Sequence, residues 1–97
     1  MRRYTHADYD MIADWMCHYW TVAVPKDCLP EQDGIVCNND AVGFIYFASD
    51  PNVKMAWIQY VVANPASSNF SKYSAMTKVL QHLSNTAKDR LGLNACI

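Results

Sequence analysis

Trp57-Ile58-Gln59-Tyr60-Val61-Val62-Ala63-Asn64-Pro65-Ala66-Ser67-Ser68-Asn69-Phe70 is the stretch on which the fold turns. Its β-branched and aromatic residues read as a strand from Met55 to Val62, and Asn64-Pro65 ends it. The polar loop Ala66 to Phe70 follows. Apolar residues then recur at helical spacing, at Met76, Val79, Leu80, Leu83, Ala87 and Leu91, with Lys78, Asn85 and Asp89 facing outward. Ser71 reads as the N-cap of this helix and Gly92 as the left-handed residue that closes it. A strand feeding a helix in this way sets unpaired backbone N–H groups beside the strand end, where an anion can be held. Leu93-Asn94-Ala95-Cys96-Ile97 reads as one more short strand.

Upstream, Arg2 to Tyr4 reads as a first strand. Thr5 caps a helix, with Asp8 three residues on in a capping-box arrangement. Ile12, Trp15, Met16 and Tyr19 form its buried stripe, and Asp10 and Asp14 lie one turn apart on the solvated side. Pro25 and Pro30 bracket room for a single helical turn. Gly34 to Cys37, the turn Asn38-Asn39-Asp40 and Ala41 to Phe47 read as a β-hairpin, and Ser49-Asp50-Pro51-Asn52 as a further turn. The expected order is β-α-β-β-β-α-β, an α/β domain with an antiparallel front and one crossover.

Ninety-seven residues, 52 % of them hydrophobic and 18 % charged, suit one globular domain with its own core. The apolar runs are too short for a membrane span, and the basic N-terminus has no apolar run behind it to make a signal peptide. Cys17, Cys28, Cys37 and Cys96 are irregularly spaced, without a paired-cysteine or histidine pattern, which favours reduced, buried, apolar thiols in a cytosol over a disulfide framework or a metal site. His6, His18 and His82 are equally scattered and read as structural. The net charge of −1 hides an asymmetry. In residues 1–52 eight carboxylates stand against three cations, whereas in residues 53–97 five cations stand against Asp89 alone.

The order of elements and several short motifs resemble the GNAT N-acetyltransferases, above all the small versions found in phages. The motifs are Asp8-Tyr9-Asp10-x-Ile12-x-x-Trp15, Leu29-Pro30 before Gly34-Ile35-Val36, Gly43-Phe44-Ile45-Tyr46, and Val61-Val62-x-Asn64-Pro65 before the long helix. The resemblance covers essentially the whole chain. It implies a GNAT-like β-α-β-β-β-α-β mixed sheet with an acyl-CoA lying in a V between the fourth and fifth strands. Tyr60, Val61 and Val62 would then pair with the pantetheine arm, and Ser67, Ser68, Ser71 and Lys72 would hold the pyrophosphate. Two features depart from the family pattern. The loop has no glycine, although backbone must approach phosphates closely. The family also continues past its fifth strand with a helix and two strands that wall the cleft and commonly carry the acid for the leaving thiolate, whereas this sequence stops at Ile97. None of Tyr46, Tyr60 and Tyr73 matches the position of that acid, so no catalytic residue is assigned.

These departures lead the sequence reading to a non-catalytic domain, truncated after its fifth strand and reused to bind another macromolecule. Asp10, Asp14, Asp27, Glu31 and Asp33 would form an acidic face that occupies a basic groove, one that otherwise receives nucleic-acid phosphates, on a host protein or nucleoprotein complex. This is similar in kind to phage anti-CRISPR proteins that mimic DNA. On this reading the protein works in the host cytosol without a cofactor or metal and does not bind nucleic acid or membrane itself, and a homodimer could cover the edge of the last strand. The alternative is a minimal acetyl-CoA-dependent N-acetyltransferase.

Overall fold

The computed structural model describes residues 1–50 and 52–91. Strand β1 (Arg2–Arg3) leads through a 3-10 turn (His6–Asp8) into helix α1 (Tyr9–Trp20), and a second 3-10 turn (Lys26–Cys28) interrupts the loop that follows. Strands β2 (Gly34–Cys37), β3 (Ala41–Phe47) and β4 (Ala56–Ala63) come next, then helix α2 (Asn69–Leu91). The four strands form one antiparallel sheet in the order β1-β2-β3-β4. The chain is thus mixed α/β, with an antiparallel front as the sequence implies. The predicted fifth strand, which would make the sheet mixed, lies outside the described residues, as do Gly92 and Cys96.

Strict alternation along β3 sorts its side chains onto two faces. Val42 and Phe44 join Tyr4, Ile12, Trp15, Met16, Leu29, Val36 and Val62 in a core beneath α1. Ala41 and Ile45 join Cys37, Ala56, Ala75, Val79, Leu83 and Ala87 in a second core beneath α2. The helix presents Ala75, Val79, Leu83 and Ala87 at intervals of four, which lay a single row along the sheet. Each large side chain sealed in this way contributes about 1.5–3 kcal/mol relative to exposure.

β4 cannot serve both cores by plain alternation. Ile58 packs in the α2 core and Val62 in the α1 core, although an even spacing would set them on the same face. The ladder shows how this is resolved. Val42 pairs with Val62 and Phe44 with Gln59, so Gly43 alone faces both Tyr60 and Val61. This is a β-bulge, and it shifts the phase of the strand by one residue. Tyr60 takes the left-handed conformation, φ 56°, at a cost of about 1–2 kcal/mol for a residue with a Cβ.

Gly43 is the counterpart of the bulge. A Cβ on it would come within 2.6 Å of Val79 Cγ1, 3.1 Å of Leu83 Cδ1 and 3.3 Å of Val61 Cγ2. Only a bare backbone lets α2 lie this close to the bulged strand. At the other edge, Arg2 donates to both carboxylate oxygens of Asp8 at 2.7 Å, and Asp8 reaches back to the Thr5 N–H at 3.0 Å. The Arg2 guanidinium holds the Asp8 carboxyl below its ordinary range. Tyr4 is wholly buried against Phe44, ring centroids 4.9 Å apart, and its hydroxyl has no hydrogen-bond partner among the described residues.

Several sequence expectations change on the helices and the thiols. Tyr19 and Leu80, read as core, are 45 % and 42 % exposed, because each lies on a flank of its helix that does not meet the sheet. Cys37 is buried, but Cys17 and Cys28 are exposed free thiols, one on the outer side of α1 and the other in the second 3-10 turn. No helix of the described residues is long and apolar enough to cross a membrane. Replacing Gly43 with alanine is expected to destabilise the fold by about 1–3 kcal/mol through overpacking against Val79, read as a lower denaturant midpoint at an unchanged slope.

Candidate functional site

The loop after β4 is shaped by Asn64. Its side-chain oxygen accepts the Ala66 N–H at 2.9 Å, its carbonyl accepts the Ser67 N–H at 3.1 Å, and its amide donates to the Asn39 carbonyl at 3.0 Å. An Asx turn of this kind reverses the chain without glycine. Ser67 donates to the Asp40 carboxylate, fastening the loop to the β2–β3 turn.

α2 begins three residues earlier than its sequence suggests. The cap is Ser68, not Ser71: the Ser71 N–H donates to Ser68 Oγ at 3.2 Å, and the first helical bond runs from the Lys72 N–H to the Ser68 carbonyl at 2.9 Å. The backbone N–H groups of Ser68, Asn69 and Phe70 have no acceptor among the described residues. They sit at the positive end of a 23-residue helix, followed one turn on by Lys72, whose ammonium has no carboxylate partner there.

A cleft of about 390 Å³ opens between this helix start, the end of β4 and the end of α1. Val61, Val62 and Ala63 line it from the strand, Asn69, Lys72, Tyr73 and Met76 from α2, and Tyr19 and Trp20 from α1. Thr21, at φ 62°, ends α1 in the left-handed conformation and donates its N–H to the Cys17 carbonyl, so the two aromatics project from a capped helix end. Among the described residues β4 is the last strand of the sheet, and the bulge opens its ladder at Tyr60 and Val61. The walls are therefore largely apolar, and Asn69 and Lys72, from the helix start with its unpaired amides, stand at the rim.

Of the residues assigned to a cofactor by resemblance, Val61, Val62 and Lys72 line the cleft. Ser68 and Ser71 are bonded to each other at the helix start, and Ser67 is committed to Asp40. Tyr60 turns the other way: its ring meets Tyr46 at 6.0 Å on the α1 side. Tyr46 donates its hydroxyl to the Cys28 carbonyl at 2.7 Å, and burial pushes its pKa up to about 12, so the phenol stays protonated near neutrality.

The acidic residues divide into two sets. Asp27, Glu31 and Asp33 border one open hollow of about 450 Å³ beside His6. Glu31 pairs with His6 Nδ1 at 3.1 Å and Asp33 with Arg90 Nη1 at 2.5 Å, which leaves two of these three carboxylates engaged. Asp10 and Asp14 lie exposed on α1, away from that hollow's lining and without a cationic partner among the described residues. No group of three or more metal-ligating side chains is found among the described residues.

Tyr19, Trp20, Asn69, Tyr73 and Met76 complete the cleft, although the sequence assigned none of them to a cofactor. One signal was available: Phe70 and Tyr73, 83 % and 70 % exposed, are large aromatics off the apolar row at the start of an otherwise polar helix turn. Replacing Ser68 with alanine is expected to cost about 1 kcal/mol of stability, whereas Ser71→Ala costs less, because only Ser68 accepts the helix N–H. Chemical denaturation of the two variants side by side checks this. Comparison of the chain with protein-family models, with curated proteins and with solved structures finds no match.

Proposed function

We propose that this chain binds an acyl-coenzyme A thioester in the cleft between β4 and α2 and serves N-acyl transfer, as a minimal acetyl-CoA-dependent N-acetyltransferase. The observation that carries the reading is the meeting, in one cleft, of a bulged strand end and a helix start with unpaired amides. A slender apolar and amide-bearing arm suits walls of Val61, Val62 and Met76 next to backbone groups released from the ladder. A pyrophosphate suits the N–H groups of Ser68, Asn69 and Phe70 together with the charge of Lys72. The absence of glycine from the loop is no obstacle to this, because Asn64 makes the turn and the first amides of α2 are left without an acceptor among the described residues. A cleft of about 390 Å³ accommodates the arm, and the nucleotide end would lie outside it, along the first turn of α2.

A bound thioester supplies an activated acyl group. The chain's own contribution is then to hold the arm, to fix the thioester against β4 and to shield it from water with Tyr19, Trp20 and Tyr73. No side chain is assigned as base or acid. Tyr46 is unsuited to act as the base, since its proton is engaged by Cys28 and retained near neutral pH.

Acetyl-CoA at about a hundred times its dissociation constant is expected to add about 2.7 kcal/mol to stability and to raise Tm by roughly 10 °C. Lys72→Ala should weaken that binding about tenfold, while Lys54→Ala, far from the cleft lining, leaves it unchanged. A thermal scan without any shift at millimolar acetyl-CoA overturns the proposal.

A second reading rests on Asp10, Asp14 and Asp27, three exposed carboxylates with no cationic partner among the described residues. They support an acidic surface that competes with DNA for a basic groove on a host protein or nucleoprotein complex. Capture of such a partner should fall as salt rises and on addition of competing DNA. The double variant Asp10→Lys, Asp14→Lys should abolish capture, and full capture by that variant ends this reading.

A further inference from the structure

On the opposite flank of α2, away from the cleft, two arginines frame a hollow that neither reading uses. β1 alternates like the other strands: Arg2 and Tyr4 turn toward α1, and Arg3 turns toward α2. Arg3 pairs in register with Ile35 at the sheet edge. Between Arg3 and the flank of α2 lies a hollow of about 270 Å³ over the half-buried Ile35, with Ile45 and Leu83 sealed beneath it. Arg90, Asp33 and His82 stand around it.

The two guanidinium groups are held differently. Arg90 lies over the Phe47 ring at 4.1 Å and donates from Nη1 to Asp33 at 2.5 Å, so its plane is fixed by stacking and by one ion pair. A guanidinium carries five N–H donors in a rigid fork, so this pair leaves most of them unused. The Arg3 side chain has no hydrogen bond, carboxylate or ring partner among the described residues. With Asp33 set against Arg90, the hollow keeps one uncompensated positive charge beside Ile35.

We infer that this hollow is a binding site for a small organic carboxylate, its apolar body against Ile35 and its carboxylate between Arg3 and Arg90. A single net positive charge matches a monoanion. A phosphate dianion would meet the Asp33 carboxylate at the same rim, and that repulsion selects against it. The planar arginine fork accepts a carboxylate through two parallel bonds, which a lysine in the same place cannot reproduce. The volume falls below the range of drug-sized pockets, so the ligand is metabolite-sized. The site shares no lining residue with the cleft of β4 and α2, and its test is independent of acyl-CoA binding.

The test is titration of the full chain with sodium benzoate and, separately, with inorganic phosphate, followed by amide and methyl NMR shifts. Benzoate should move Ile35, Leu83 and Thr86 in a saturable manner, and phosphate should not displace it. Arg3→Gln and Arg3→Lys should each weaken benzoate about tenfold or more, although the lysine keeps the charge. Because the Arg3 side chain has no partner among the described residues, both variants should fold with unchanged spectra elsewhere. The inference is overturned if millimolar benzoate leaves these resonances unmoved, if Arg3→Lys binds like the unaltered chain, or if phosphate saturates the site ahead of benzoate.

Discussion

One additional residue in β4, taken up at Tyr60 opposite Gly43, is what allows a single thin sheet to serve two helices. A strand of strict period two would place Ile58 and Val62 on the same face, and one of the two cores would lose its contribution from this strand. The bulge restores both, at the cost of a tyrosine in a left-handed conformation. The strain is tolerated because the surroundings over-determine it: Val62 is sealed beneath α1, Ile58 packs under α2, and the Tyr60 ring is set against Tyr46. Gly43 is the other half of the device, since any side chain there would push α2 away from the place where the strand bends.

The cleft is a by-product of the same constraint. A bulged strand diverges from regular pairing, the Asn64 turn carries the chain across to α2, and the helix starts close to the strand end with its first amides unspent. The end of α1 supplies the remaining wall. Apolar walls and a positively polarised rim thus arise from three elements meeting, without a dedicated phosphate-binding motif. The rim owes its character to backbone geometry and to Lys72, and the loop serines are mostly occupied with holding that geometry in place.

Electrostatics ties the two halves of the chain together more than their separate charges suggest. Asp33 from the acidic half meets Arg90 from the basic half across 57 positions of sequence, and the Arg90 plane rests on Phe47. Within the acidic half, Arg2 is spent on Asp8 and His6 lies against Glu31. Among the charges left without an ion pair among the described residues are Asp10 and Asp14 on α1, Asp27 beside the acidic hollow, Lys72 at the cleft and Arg3 at the sheet edge. Half-exposed pairs of this sort contribute little to stability individually, yet they decide which charges remain available to a ligand.

Among the described residues, every helix and strand was legible in the sequence to within a few positions. The signals for them are local: the apolar run from Ala41 to Phe47, the Asn38-Asn39-Asp40 turn, Asn64-Pro65 at the strand end, and the helical spacing of Met76, Val79, Leu83 and Ala87. Adjacent residues impose these preferences through backbone sterics and side-chain periodicity, so no distant partner is needed to read them. The cap of α2 shows the limit even locally, since Ser68 and Ser71 are equivalent by composition and only the path of the turn chose Ser68. The bulge at Tyr60, the exposure of Tyr19 and Leu80, and the gathering of Asp27, Glu31 and Asp33 around one hollow could not be read in that way. Each depends on which flank of an element finds a neighbour, and that is settled only when strands and helices pack together, because burial is a property of the assembled surfaces and not of any single segment.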